Sequence, residues 1–280
     1  MVTVFPFLLF EDDNFLLLDK PHGMPTVPLK TQALQGTLLE QAALLCPKIL
    51  EVKGKNSWEG GALHRLDTAT AGLVLFAKNQ LFYEMMKKLQ EDSLFEKYYI
   101  AQTFENNSLK GYDIEEKTDI ITISSYFRPF GPKAKQVRAT LDEKKASPKI
   151  LYKTGVIRDE NTFYCTIAKG FRHQIRAHLA WTGHPIIGDR LYGDGVQGDD
   201  VRVDGTQAAN VNSDGAKANR LQAQSQNPQT LQLECVGLSF PVVKNGEEKQ
   251  YVFKKKEAFT LNFPSLCRYA NTLGNVIIQL

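Results

Sequence analysis

From Thr162 to Ala168 apolar and polar positions alternate, with Phe163, Cys165 and Ile167 on one face and Tyr164, Thr166 and Ala168 on the other. That two-residue period is the mark of a strand. Turn-bounded runs rich in β-branched, aromatic and other apolar residues predict further strands at 15–18, 72–77, 98–103, 150–157, 231–236 and 251–253. Helical periodicity is rarer. Leu81, Phe82, Met85, Met86 and Leu89 fall at i, i+1, i+4, i+5 and i+8 and predict a helix over 80–90. A second helix is expected over 173–182, closed by Gly183 and Pro185. Strands outnumber helices and do not alternate regularly with them, so the expected class is α+β, with a large mixed, mostly antiparallel sheet and flanking helices.

The pattern stops between Asp194 and Gln229, 36 residues without an aromatic and rich in Gly, Asp, Asn, Gln, Ala and Ser. Such a stretch buries too little apolar surface to offset the entropy of ordering it. It reads as a flexible insertion, with a helical segment over 216–224 as the alternative. The remainder of the 280 residues is expected to form a single domain. Lys plus Arg number 34 against 31 Asp plus Glu, a formal charge of +3. The insertion carries five acidic and three basic residues, a net of −2, so the rest carries about +5. A polybasic tail is excluded, whereas a localised basic face is not.

The four cysteines, Cys46, Cys165, Cys235 and Cys267, are widely separated and read as reduced thiols. The apolar N-terminus lacks a leading positive charge and runs into Glu11, Asp12 and Asp13, unlike a signal peptide. With no apolar run of membrane-spanning length, a cytoplasmic protein without a membrane partner is expected. All five histidines lie in three short segments with Gly, Pro, Arg and Asp. His173 and His178 are five apart, which puts them on different sides of a helix, so no metal site is expected.

Those segments hold the candidate chemistry. His64-Arg65-Leu66-Asp67-Thr68 is a polar turn feeding an apolar strand. Asp67 there reads either as a turn cap or as a rigidly held catalytic carboxylate. Gly170 to Leu179 places Arg172 and Arg176 four apart near a helix start beside His173 and Gln174, which suits phosphate or base contact or a solvated face. Lys20 to Pro25 is a rigid turn ending a strand, and alone it says nothing about function. Phe127 to Arg138 joins aromatic rings to four basic residues in a Gly/Pro-rich loop, a candidate RNA contact or a solvated basic loop, which Lys53 and Lys55 would extend.

Taken in order, these segments resemble the RluA-type pseudouridine synthases. His64 to Lys78 is similar to that family's HRLD turn and following strand, and Lys97 to Ala101 to its K-x-Y-x-A strand. Gly170 to Arg176 and Gly183 to Asp189 resemble its HQ[IL]R and GHP elements, and Leu231 to Phe240 its late strand. Glu234 stands where a His is usual, Phe171 where many relatives have Arg, and Ala71 for a commoner Ser.

The resemblance implies the pseudouridine synthase fold and isomerisation of uridine in structured RNA, rRNA or tRNA, by a monomer without cofactor or metal. It makes Asp67 the catalytic aspartate, either as nucleophile or as base. Tyr99 would pack on the flipped uracil and help remove the proton from its fifth carbon, and Arg176 would pair with Asp67. Arg65 would fill the gap left by the extruded base, while His64 and Leu66 shape the loop and pocket wall. Lys97, Arg172, His173 and Gln174 complete the expected substrate-binding set. A separate RNA-binding domain ahead of the catalytic one is not expected. A non-catalytic RNA-binding protein of the same fold is the alternative.

Overall fold

Twelve strands and three α-helices run along the chain in the order β1 (Phe7–Glu11), β2 (Phe15–Lys20), α1 (Leu38–Leu45), β3 (Ala71–Ala77), α2 (Gln80–Glu91), β4 (Glu96–Gln102), β5 (Ile114–Lys117), β6 (Ile120–Phe130), β7 (Gln136–Thr140), β8 (Tyr152–Asp159), β9 (Thr162–Ile167), α3 (Gln174–Trp181), β10 (Leu233–Lys244), β11 (Glu247–Lys254) and β12 (Val276–Gln279), counted among the described residues. The structure, a computed structural model, describes residues 7–30, 32–104, 114–117, 120–193, 230–244, 247–255 and 276–279. The insertion expected at 194–229, its helical alternative and Cys267 lie outside them. The chain divides into two units, one formed by residues 1–100, 166–169 and 233–280, the other by 101–165 and 170–232.

In the first unit the strands lie in the order β1, β2, β3, β10, β4, with β11 and β12 continuing from β10. β2 pairs antiparallel with β3 from Phe15 opposite Ala77 to Lys20 opposite Gly72. β3 pairs parallel with β10. Every residue of β3 is buried, as its unbroken apolar run requires of a strand covered on both faces. Gly72 has φ +112°, and a Cβ there would lie 2.2 Å from the Cys235 carbonyl oxygen, so the β3–β10 pair closes only on glycine. An aromatic cluster fills this core, with Phe15 stacked on Phe82 at 5.1 Å and edge-on to Phe240.

α2 is capped by the Asn79 side chain, which accepts from the Phe82 amide at 2.9 Å. Its buried face is Phe82, Tyr83 and Met86. Leu81, expected on that stripe, is 81% exposed, because the helix turns the Tyr83 ring inward instead.

In the second unit β9, β8, β6 and β5 are successive neighbours, and β7 pairs with β6. The segment 127–138, read as a loop, is instead a β-hairpin, Tyr126 opposite Thr140 through Phe130 opposite Gln136, closed by a turn at Gly131–Lys135. Its Gly and Pro residues concealed an alternation that buries Phe127, Val137 and Ala139 on one face. α3 is shorter than expected and buried at every residue. His173 is its N-cap, in the left-handed region at φ +57°, so Arg172 precedes the helix and shares no helical face with Arg176. His178 lies in the core between the Ser125 and Thr154 hydroxyls at 2.9 and 2.8 Å, and burial pushes its imidazole down to about 3.

Three helices placed irregularly among strands that pair mostly antiparallel give the expected α+β class. No helix among the described residues is long and apolar enough to cross a membrane.

Candidate active site

Asp67 occupies the turn that leads into β3, and the backbone on both sides of it is fastened. The Thr26 hydroxyl donates to the Leu66 carbonyl at 2.9 Å and accepts from the Leu66 amide at 3.1 Å. Beyond Asp67, the Thr68 carbonyl accepts from the Gly23 amide at 2.8 Å and from Lys20 Nζ at 3.3 Å. His22 Nδ1 donates to the Ala69 carbonyl at 2.7 Å, and the Thr70 amide to the Asp67 carbonyl at 3.0 Å. The turn after β2, which says nothing about function when read alone, is therefore the cradle of Asp67. A carboxylate so held needs little reorganisation before reacting.

Lys20 is wholly buried within this cradle. Its ammonium also donates to the Pro21 and Met24 carbonyls at 2.9 and 2.8 Å. Burial pushes it down to about 8, opposed by the carboxylates of Asp67 and Asp19. At neutral pH Lys20 thus remains a cation within the electrostatic reach of Asp67. Sequence reasoning missed it, although a lysine at a strand end next to a proline-rich turn was a visible signal.

His64 accepts a hydrogen bond at Nε2 from the Leu75 amide at 3.2 Å, which ties the turn to β3. Burial, with Lys97 and Lys87 nearby, pushes its imidazole down to about 3, so the ring is neutral and its proton sits on Nδ1. Leu66 is buried. Arg65 points outward, its side chain 56% exposed, and meets Glu59 at 2.8 Å. Glu59 is nearly buried, its side chain 10% exposed, so the pair has one end in the protein and the guanidinium at the surface.

On β4, Tyr98 is wholly buried and Tyr99 nearly so, on opposite faces of the strand. Tyr99 shares a side-chain hydrogen bond with the Cys235 thiol, which burial pushes up to about 12. Lys97 is placed otherwise than expected. It is buried, donates to the Phe95 and Ala168 carbonyls at 3.1 and 2.8 Å, and lies 4.5 Å from the centre of the Phe95 ring. Both of these hydrogen bonds run to carbonyls of the protein, so Lys97 supports β4. Burial pushes it down to about 8.

In the second unit the Asp189 carboxylate receives Arg176 Nε at 2.7 Å and Nη2 at 2.8 Å, and also the amides of Leu191 and Tyr192. The Arg176 guanidinium stands 5.3 Å from the centre of the Tyr192 ring. The Tyr192 hydroxyl accepts from the Val137 amide and contacts His173 Nδ1 at 3.0 Å. Asp189 closes the GHP element, and its role is hidden in the sequence because only folding brings Arg176 to it.

Two expected ligand-binding residues turn inward or sideways. Gln174 is buried, accepts from the Phe171 amide and donates to the Lys153 carbonyl and the Thr154 hydroxyl, so its amide is spent on fastening α3. Arg172 is exposed and donates to the Ala134 and Gln136 carbonyls, holding the β6–β7 turn. Among the described residues no three His, Cys, Asp or Glu side chains gather as a metal-binding group.

The RNA pseudouridylate synthase family model matches residues 14–181. The chain is 30% identical to tRNA pseudouridine synthase C of Haemophilus ducreyi, over 67% of this chain and 74% of that protein. It is 27% identical to ribosomal large subunit pseudouridine synthase D of Nitrosomonas europaea, over 66% of this chain and 49% of that protein, so it spans only about half of this second relative. The solved structure of human RNA pseudouridylate synthase domain containing 1 shares the fold, with a TM-score of 0.54 at 15% identity, covering 88% of this chain and 81% of that one.

Proposed function

The chain belongs to the RNA pseudouridylate synthase family, isomerases that act on RNA, and from that premise we propose that it converts specific uridines of structured tRNA or rRNA to pseudouridine with Asp67 as the essential carboxylate. The observation that carries this reading is the cradle around Asp67, in which Thr26, Gly23, His22 and buried Lys20 fix the turn. Turn capping alone does not call for a buried ammonium held at three carbonyls beside the carboxylate.

In the reaction the glycosidic bond from uracil nitrogen to ribose breaks, the base rotates, and a carbon–carbon bond forms to the same sugar. The fifth carbon loses its proton and the released nitrogen gains one, so atoms and electrons balance without a co-reactant. Asp67 acts on the ribose or the base. Tyr99, nearly buried and hydrogen-bonded through Cys235, offers a fixed ring for the uracil and a phenol close to the proton that leaves. Arg176 enters with its guanidinium already oriented by Asp189.

The target base must leave its stack to be reached, at a cost on the order of a few kcal/mol. The exposed Arg65 fills the vacated place, exchanging Glu59 for RNA. His64 and Leu66 hold the loop from behind, and His173 borders the Arg176 site through Tyr192. The protein works in the cytoplasm as a monomer and takes no cofactor. Incubating it with tRNA and rRNA transcripts and mapping pseudouridine chemically tests the proposal. New pseudouridine at defined uridines is expected, whereas RNA binding without any modified uridine would leave a binding protein of the same fold.

A further inference from the structure

The β6–β7 hairpin has two chemically opposed faces. Phe127, Val137 and Ala139 are buried on one. Arg128 and Arg138 are directly opposite each other on the other, which Phe130 and Gln136 share. Both guanidinium groups approach the same ring, Arg138 at 3.5 Å and Arg128 at 5.7 Å from the centre of Phe130. Like charges facing across a strand pair disfavour folding. Partial burial and the neighbouring Arg128 both pull Arg138 below the ordinary arginine value.

The turn that closes the hairpin adds two exposed cations, Lys133 and Lys135. Its backbone is constrained, with Lys133 at φ +53° and Ala134 at φ +52°, a region uncommon for side-chain-bearing residues. Arg172 fixes that shape through the Ala134 and Gln136 carbonyls. No acidic residue occurs between Phe127 and Leu141. The segment thus sets its cations on a rigid support, although folding would be easier with fewer of them.

We propose that this face is a phosphate clamp for the RNA backbone, in which Arg128 and Arg138 with Lys133 and Lys135 neutralise successive phosphates. The inference rests on the reading that the substrate is RNA. Guanidinium groups match phosphate oxygens in pairs. The Arg138 plane, lying on Phe130, also offers an outer surface on which a base stacks. The clamp positions RNA without reading sequence.

The test uses the full chain and a fluorescein-labelled RNA stem-loop, whose dissociation constant is measured across a series of salt concentrations. Arg128→Gln and Arg138→Gln each lower the slope of log affinity against log salt by about 0.7 to 0.9, and the double variant by nearly twice that. Arg138→Lys keeps the slope. Arg158→Gln, which removes from β8 a guanidinium 5.7 Å from the centre of the Phe163 ring, is the control for a cation elsewhere. If loss of Arg138 prevents folding, the exposed pair Lys133→Gln with Lys135→Gln gives the same reading. Slopes unchanged in these variants, or lowered equally in the control, overturn the clamp. Pseudouridine formation by the unaltered chain is scored separately. A chain that binds with the expected slopes but makes no pseudouridine loses the functional reading and keeps the clamp.

Discussion

Arg176 and Asp189 meet through two parallel hydrogen bonds of 2.7 and 2.8 Å, with side chains only 5% and 0% exposed. The pair presents the guanidinium in one orientation. Removing Asp189 takes from the buried guanidinium a carboxylate that meets it through two hydrogen bonds, so Asp189→Ala is expected to cost about 3 kcal/mol. Urea denaturation measures this, and a loss below about 1 kcal/mol would show that the pair does not organise the site.

Acid should weaken the fold through two histidines. His64 and His178 are pushed down to about 3 by burial, while the unfolded chain takes up these protons near 6.5. Their contribution is complete above pH 6.5 and is lost as pH falls from 6.5 towards 3. Each costs about 1.4 kcal/mol per pH unit within that window. Stability measured against pH for His178→Gln should show a slope shallower by one proton. An unchanged slope would mean that His178 is already charged in the native protein.

Gly72 is expected to tolerate no side chain. Alanine there would need φ +112° and would press its Cβ against the Cys235 carbonyl. The β3–β10 pair would have to part, at about 3 kcal/mol or more. Soluble Gly72→Ala protein with an unchanged thermal midpoint would contradict the register described.

Arg65→Ala should separate folding from function. Its partner Glu59 is nearly buried but keeps a bond from the Asn56 amide, so losing the ion pair is expected to cost about 1 kcal/mol and lower the thermal midpoint by only about 2 to 4 °C. Pseudouridine formation should fall by about tenfold or more, since even part of the cost of base extrusion is worth that factor. Full activity in this variant would remove Arg65 from the flipping step.

Much of the framework was legible because periodicity reports burial directly. β3 showed itself as an unbroken apolar run, and β9 as a clean alternation. The β6–β7 hairpin was not legible, since Pro129, Gly131 and Pro132 carry turn signals while the pairing of Phe127 with Ala139 is a tertiary fact. Asp67, Tyr99 and Arg176 stood out by motif. Their surroundings did not, because Lys20 reaches the Asp67 turn from β2, and Asp189 reaches Arg176 from beyond the helix. The inward turn of Lys97 and Gln174 follows from carbonyls that only the folded chain brings near them.

The central claim is that Asp67 performs the chemistry, and tritium release from RNA whose uridines are labelled at the fifth carbon tests it most directly. The unaltered protein should release tritium. Asp67→Asn, nearly equal in size, should release none while binding the same RNA and melting at the same temperature. Continued release by Asp67→Asn would contradict the account.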